Sequence, residues 1–221
     1  MRFTDLGPDF FAFLVPQSHV LMFLLTCRTM RIALKDVKAV VNKRDATAFS
    51  NGEGLLDSLN RLDALCKVSV LRLPHALLRV GGALALADAL RLNVPIRSLD
   101  ILGNELGNSG ARILSLALKA NTTLTDLTLS YNSITYTGAL LLAEALGCNT
   151  TLETLDLGYN QIESLGARRV AQSLCINTSL GNLNLRRNQI GCRGGEHLAQ
   201  GLRVNTTLES LNLDMNNMED R

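Results

Sequence analysis

The stretch Leu124–Thr151 reads LTDLTLSYNSITYTGALLLAEALGCNTT. Its first half alternates. Leu127 and Leu129 fall on one side and Thr128 and Ser130 on the other, the period-two pattern of a short strand with one buried face. Its second half places Ala139, Leu142, Ala143 and Leu146 at the spacing of one helical face. Asn149 follows the last apolar residue of that face and suits a left-handed helix stop. The β-branched Thr150 and Thr151 then lead toward another strand. One strand and one helix in so few residues cannot enclose a core, so the stretch needs neighbours like itself.

The chain supplies them. Asn104, Asn132, Asn160, Asn188 and Asn216 recur at a step of 28 residues, as do Asn93, Asn121, Asn149, Asn177 and Asn205, and Gly82, Gly110, Gly138, Gly166 and Gly194. Three ladders in one register define units 68–95, 96–123, 124–151, 152–179 and 180–207, with half a unit at 208–221. Strands pack about 4.8 Å apart and helices about 10 Å apart. Strands therefore line the inside of a curve and helices the outside. The expected fold is an α/β solenoid, a horseshoe arc with a concave parallel β-sheet, convex helices and a helical N-terminal cap.

The pattern L-x-x-L-x-L-x-x-N-x-I-x-x-x-G-A-x-x-L-A-x-x-L resembles the ribonuclease-inhibitor-like leucine-rich repeats, which also occur in NOD-like receptors and Ran GTPase-activating proteins. The resemblance covers 68–221 and implies a binding scaffold. The asparagine at each strand end is expected to turn inward onto loop backbone, because a buried orphan polar group costs about 1–3 kcal/mol. Gly138 and Ala139 are expected to let helix and sheet approach closely. The first unit departs from the pattern: Ala76 replaces the asparagine, and Pro74 and His75 interrupt the strand exit. Leu55, Leu56, Leu59, Leu62 and Leu65 form a helical stripe able to cover this end. The final half-unit lacks a helix, so a longer chain or a partner is expected to cover that edge.

Residues 1–67 form a separate region, expected to be helical. Asp5–Leu34, DLGPDFFAFLVPQSHVLMFLLTCRTMRIAL, resembles an F-box: a Leu-x-Pro start, an apolar helix, a break, a second apolar helix, then Cys27-Arg28. Met30 stands where that family has Trp. The resemblance implies an apolar face of Leu6, Pro8, Phe10, Phe13, Leu14 and Leu21 for the Skp adaptor through residues 1–34. A helical cap packed on the first repeat is the alternative. The break Pro16-Gln17-Ser18-His19 and the early Asp5 and Asp9 argue against a membrane span or signal peptide. Lys35–Arg44 reads as a solvated helix face rather than a nucleic-acid patch.

A net charge of +2 makes no case for nucleic acid or an acidic membrane. The five cysteines have no metal-finger spacing and imply reduced thiols, hence a cytoplasmic setting, with a nuclear one also open. Cys27, Cys148 and Cys175 lie beside apolar positions and are expected to be buried fillers. No phosphate loop, His-Glu-x-x-His, Cys-x-x-Cys or Gly-x-Ser-x-Gly is present, and His19, His75 and His197 lie in different segments. Neither catalysis nor a cofactor or metal is expected. The sequons at Asn121, Asn149, Asn177 and Asn205 share one repeat position, so the repeat itself generates them.

Outward strand positions form columns free of core constraint. One reads Arg72, Asp100, Thr128, Asp156, Asn184, Asn212; another, at the strand exit, reads His75, Gly103, Tyr131, Tyr159, Arg187, Met215. Arg186 lies between them. Tyr and Arg are favoured anchors at interfaces, so Tyr131, Asp156, Tyr159, Arg186 and Arg187 are the candidate partner-binding residues. The expected function is a protein-protein interaction module or scaffold. The alternatives are an F-box-type substrate receptor of a ubiquitin ligase and a Ran-type GTPase activator.

Overall fold

A computed structural model of the chain describes residues 39–40 and 69–218. Seven strands lie side by side in chain order in one parallel sheet: β1 (Ala39–Val40), β2 (Val70–Arg72), β3 (Ser98–Asp100), β4 (Asp126–Thr128), β5 (Thr154–Asp156), β6 (Asn182–Asn184) and β7 (Ser210–Asn212). The helices α1 (Arg79–Arg91), α2 (Gly107–Leu118), α3 (Tyr136–Cys148), α4 (Glu163–Leu174) and α5 (Gly191–Leu202) alternate with β2 to β7 and pack each on the next. From β2 onward the register is that of the repeat: Leu71 faces Leu99, and Leu99 faces Leu127. This is the α/β solenoid expected from the periodicity.

The strand leucines of the middle unit, Leu127 and Leu129, are buried, as are Ala139, Leu142, Ala143 and Leu146 of α3. Together with their counterparts they form one continuous apolar core. Full burial of one such leucine stabilises by about 1.5–3 kcal/mol, and no unit could obtain that alone.

Each strand-end asparagine ties its own unit to the one before. Asn160 Oδ1 accepts from the backbone N–H groups of Asn132 (3.1 Å) and Ile134 (3.0 Å), while its Nδ2 donates to the carbonyls of Leu129, Leu157 and Gly158. Asn104, Asn132, Asn188 and Asn216 are likewise buried. Asn104 explains why the first unit tolerates Ala76. The acceptor that Ala76 and Leu78 need comes from the next unit, at 2.8 and 3.2 Å. His75 takes the same left-handed backbone (φ 54°) as its counterparts, so this strand exit is not interrupted.

The second asparagine ladder works differently from the expectation. Asn149 is extended (φ −82°, ψ 132°), not left-handed. It caps through its side chain: Nδ2 donates to the carbonyls of Leu118 and Asn121, and Oδ1 accepts from the N–H groups of Thr151 and Leu152. Asn121, Asn177 and Asn205 make the equivalent bonds. The sequon nitrogens are thus spent on holding units together.

Three further expectations are corrected. The close approach at the helical glycines is of helix on helix: a Cβ at Gly166 would lie 2.5 Å from Ile162 Cγ2 and 3.2 Å from Ala139 Cβ, and none of its nearest atoms belongs to the sheet. Cys148 and Cys175 are exposed rather than buried, because both stand at the helix ends where the chain leaves the core. Within Lys35–Arg44, read as a helix face, Ala39–Val40 forms a strand paired with β2, which extends the sheet instead. The remainder of residues 1–67, with the F-box-like segment, Cys27 and the leucine stripe, lies outside the described residues.

Candidate functional site

The strand-exit column is built by the turn that delivers each asparagine inward. The residue just before that asparagine still donates to the next unit. Tyr131 N–H reaches the Gly158 carbonyl (3.2 Å), Tyr159 N–H that of Arg186 (2.7 Å) and Arg187 N–H that of Asp214 (3.0 Å). To do so and then turn, each takes a left-handed backbone: φ is 57° at Tyr131, 55° at Tyr159, 54° at Arg187 and 58° at Met215. Glycine, which suits this conformation, occupies the position only at Gly103 (φ 67°). For a residue with a Cβ the left-handed conformation costs about 1–2 kcal/mol. The chain therefore keeps tyrosine, tyrosine, arginine and methionine in turn at positions where the backbone favours glycine.

The side chains meet across the units. The Tyr131 and Tyr159 rings are stacked, with centroids 4.1 Å apart and planes 14° from parallel. The Arg187 guanidinium lies over the Tyr159 ring at 5.5 Å and that of Arg186 at 5.9 Å, both within cation–π range. Tyr131 is 50% exposed and Met215 54%, so the two ends of the ridge are open to solvent. Desolvation raises the Tyr131 phenol above its ordinary pKa, and the Tyr159 hydroxyl adds to the shift; Arg187 and Arg186 act in the opposite direction. Both effects leave it a neutral hydrogen-bonding group at physiological pH.

Asp156 differs from the other four. Its Oδ1 accepts from Ser130 Oγ (2.5 Å), the Gly158 N–H (2.8 Å) and Asn184 Nδ2 (2.9 Å). It links three successive units through these bonds. Arg186 is held from the far side by Asp214 (3.6 Å) and donates to Met215 Sδ (3.2 Å), with its buried Nε unpaired. Arg187 is exposed and makes no ion pair among the described residues. The structure thus brings all five candidate residues into one patch.

Sequence reasoning missed two other surfaces. Leu92, Ile176 and Val204 stand exposed in a row at the helix ends, with Cys148 among them. Between α3 and α4 this row borders a shallow recess of about 380 Å³ lined by Leu140, Gly147 and Ile176. Their common step along the chain was the available signal. At the strand-entry side, threonines such as Thr123, Thr151 and Thr207 line a wide polar groove of about 850 Å³.

Comparison with known proteins agrees with this architecture. The family pattern described as Leucine Rich repeat matches residues 120–143, 148–171 and 204–221. The repeats in these segments are leucine-rich repeats. Among solved structures, the leucine-rich repeats resemble a leiomodin-1 segment titled actin-binding site 2, with TM-score 0.56 and 23% identity over 60% of this chain and 78% of that one. They also resemble the tropomodulin C-terminal domain of Caenorhabditis elegans, with TM-score 0.54 and 15% identity over 62% of this chain and 83% of that one. At such identities the likeness is one of fold. No curated protein matches the sequence. The resemblance of residues 1–34 to an adaptor-binding F-box falls outside both the matched and the described residues.

Proposed function

We propose that this leucine-rich-repeat chain is a non-catalytic interaction module that holds a protein partner on its concave strand-exit patch. Tyr131, Tyr159, Arg186 and Arg187 make the contact and Asp156 braces them. One observation carries the reading: a stacked tyrosine pair continued by a guanidinium fills consecutive strand-exit positions whose backbone is left-handed. Backbone strain of this kind concentrates at functional sites. The sheet beneath is rigid, so presenting these side chains costs little ordering on binding. The sequon nitrogens, buried at Asn121, Asn149 and Asn177 and hydrogen-bonded at all four positions, and the exposed thiols Cys148 and Cys175 favour a reducing, cytoplasmic setting.

The test begins with a pull-down of the intact chain from its own cell extract. Purified actin is assayed beside it, because one similar fold is an actin-binding segment. The identified partner is then titrated against four variants. Tyr159→Ala and Arg187→Ala should each weaken binding by about 1–3 kcal/mol. Glu144→Ala and Arg169→Ala, on exposed positions of α3 and α4, should change it by less than about 0.5 kcal/mol. Loss through the helix variants with none through the tyrosine and arginine variants would place the partner on the convex face.

A further inference from the structure

We propose that the strand-exit patch recognises an acidic, extended peptide segment of its partner, with one carboxylate on Arg187 between two apolar side chains. The inference rests on the reading above and adds the chemistry of the ligand. The patch is a line. Tyr131, Tyr159, Arg187 and Met215 lie on successive units, about 4.8 Å apart per strand. From the middle of the tyrosine pair to Arg187 is then about 7 Å, and to Met215 about 12 Å. An extended peptide rises about 3.3 Å per residue and shows alternate side chains on one face. Its residues i, i+2 and i+4 therefore fall over the tyrosines, over Arg187 and over Met215.

Charge decides the middle position. The acids of the patch are already engaged: Asp156 Oδ1 takes three donors, and Asp214 holds Arg186. Asp156 has no counter-charge but is taken up by neutral donors, whereas the exposed Arg187 has no ion pair among the described residues and carries its guanidinium over the Tyr159 ring at 5.5 Å. A guanidinium with no ion-pair partner offers its N–H groups to a carboxylate, which it can hold through two parallel bonds. One free cation beside two carboxylates suits a single negative charge better than a dianionic phosphate. At the ends, the exposed Tyr131 ring and Met215 thioether suit apolar side chains.

A random seven-residue peptide display library panned on the full chain tests this. The expected enrichment is apolar–x–Asp/Glu–x–apolar. A synthetic peptide of the enriched sequence should lose about tenfold or more in affinity against Arg187→Glu, and should regain it when its own acid is changed to Lys. Affinity for wild type should also fall as salt is raised. Tyr159→Ala should weaken every selected peptide, whatever its charge. Selected sequences without an acidic position, or an Arg187→Glu variant that binds the acidic peptide within twofold of wild type, overturn the inference. If Tyr159→Ala still abolishes binding in that case, the patch remains the site and only its ligand chemistry is wrong. If neither substitution changes binding, the site itself is refuted.

Discussion

Tyr131 and Asn132 are neighbours in the chain and opposites in every other respect. Asn132 is fully buried, its amide bonded to the carbonyls of Ile101, Leu129 and Ser130 and its oxygen to the N–H groups of Asn104 and Leu106. Tyr131 is half exposed and its side chain contacts another unit's side chain, not the backbone. The same contrast holds at 159 and 160 and at 187 and 188. Within one turn, the first residue receives a strained backbone and a free side chain, and the second receives a fixed side chain that holds the turn together. Regularity along the chain marks the second kind of position and variation marks the first. Function in a repeat protein must be sought among the variable positions, because the invariant ones are committed to the core.

The largest effect expected on breaking this contrast is at the invariant side. Asn160→Ala removes the acceptor for two buried N–H groups and the donor to three carbonyls at once. Orphaned buried groups cost about 1–3 kcal/mol each, partly relieved by rearrangement, so a loss near 3 kcal/mol is expected in thermal or urea melts. Partner affinity should fall only in proportion to the folded fraction. Unchanged melting would mean that these bonds are replaced by water and that the asparagine ladder does not hold the turns.

A smaller effect is expected between helices. At Gly138 an added Cβ would lie 2.7 Å from Asn108 Oδ1 and 2.8 Å from Ile134 Cγ2. Asn108 Oδ1 accepts from the N–H groups of Thr135 and Gly138 and so caps the next unit's helix. Gly138→Ala should cost about 2 kcal/mol through overpacking and the displaced cap. Binding by the folded variant should be unaffected. A neutral melt would show that the helix layer can spread without cost.

The division between regular and variable positions also sets how much was legible in the sequence. The leucine alternation around Leu127 and the three ladders are enough for the solenoid, because burial and register admit one arrangement of them. The exposed columns follow from the same register, which is why Tyr131, Tyr159 and Arg187 could be named together. The left-handed backbone beneath them could not. It arises from the next unit's carbonyls, and only Gly103 hints at it in the sequence. Asp156 looked like an exposed acid because its three donors come from residues up to 28 positions away. Cys148 and Cys175 adjoin apolar residues in the sequence, yet adjacency along the chain does not bring them into the core. Cys148 is the last residue of α3 and Cys175 the residue just past α4, where the chain leaves the core. Asn149 looked like a left-handed stop because a single unit does not show the carbonyls of the preceding one.

The smallest effect is the sharpest test of why the ridge exists. If the left-handed turn at 159 is imposed by the bond from its N–H to Arg186, then removing the side chain in two ways should give two stabilities. Tyr159→Ala keeps a Cβ and its left-handed strain, whereas Tyr159→Gly relieves that strain at some cost in unfolded-chain freedom. The glycine variant should therefore melt as the more stable of the two, by about 1 kcal/mol. Both should lose the stacking with Tyr131 and the contact with Arg187, and both should lose partner binding alike. Gly103→Ala provides the reverse case, and there the strain adds to contact with the His75 ring, whose Cε1 would lie 2.6 Å from the new Cβ. That variant should be destabilised by more than the Ala–Gly difference at 159. If the two variants at 159 melt together, the turn relaxes its backbone freely. The tyrosines would then occupy these positions at no cost, and the inference from strain to function would lose its support even where the contact itself remains.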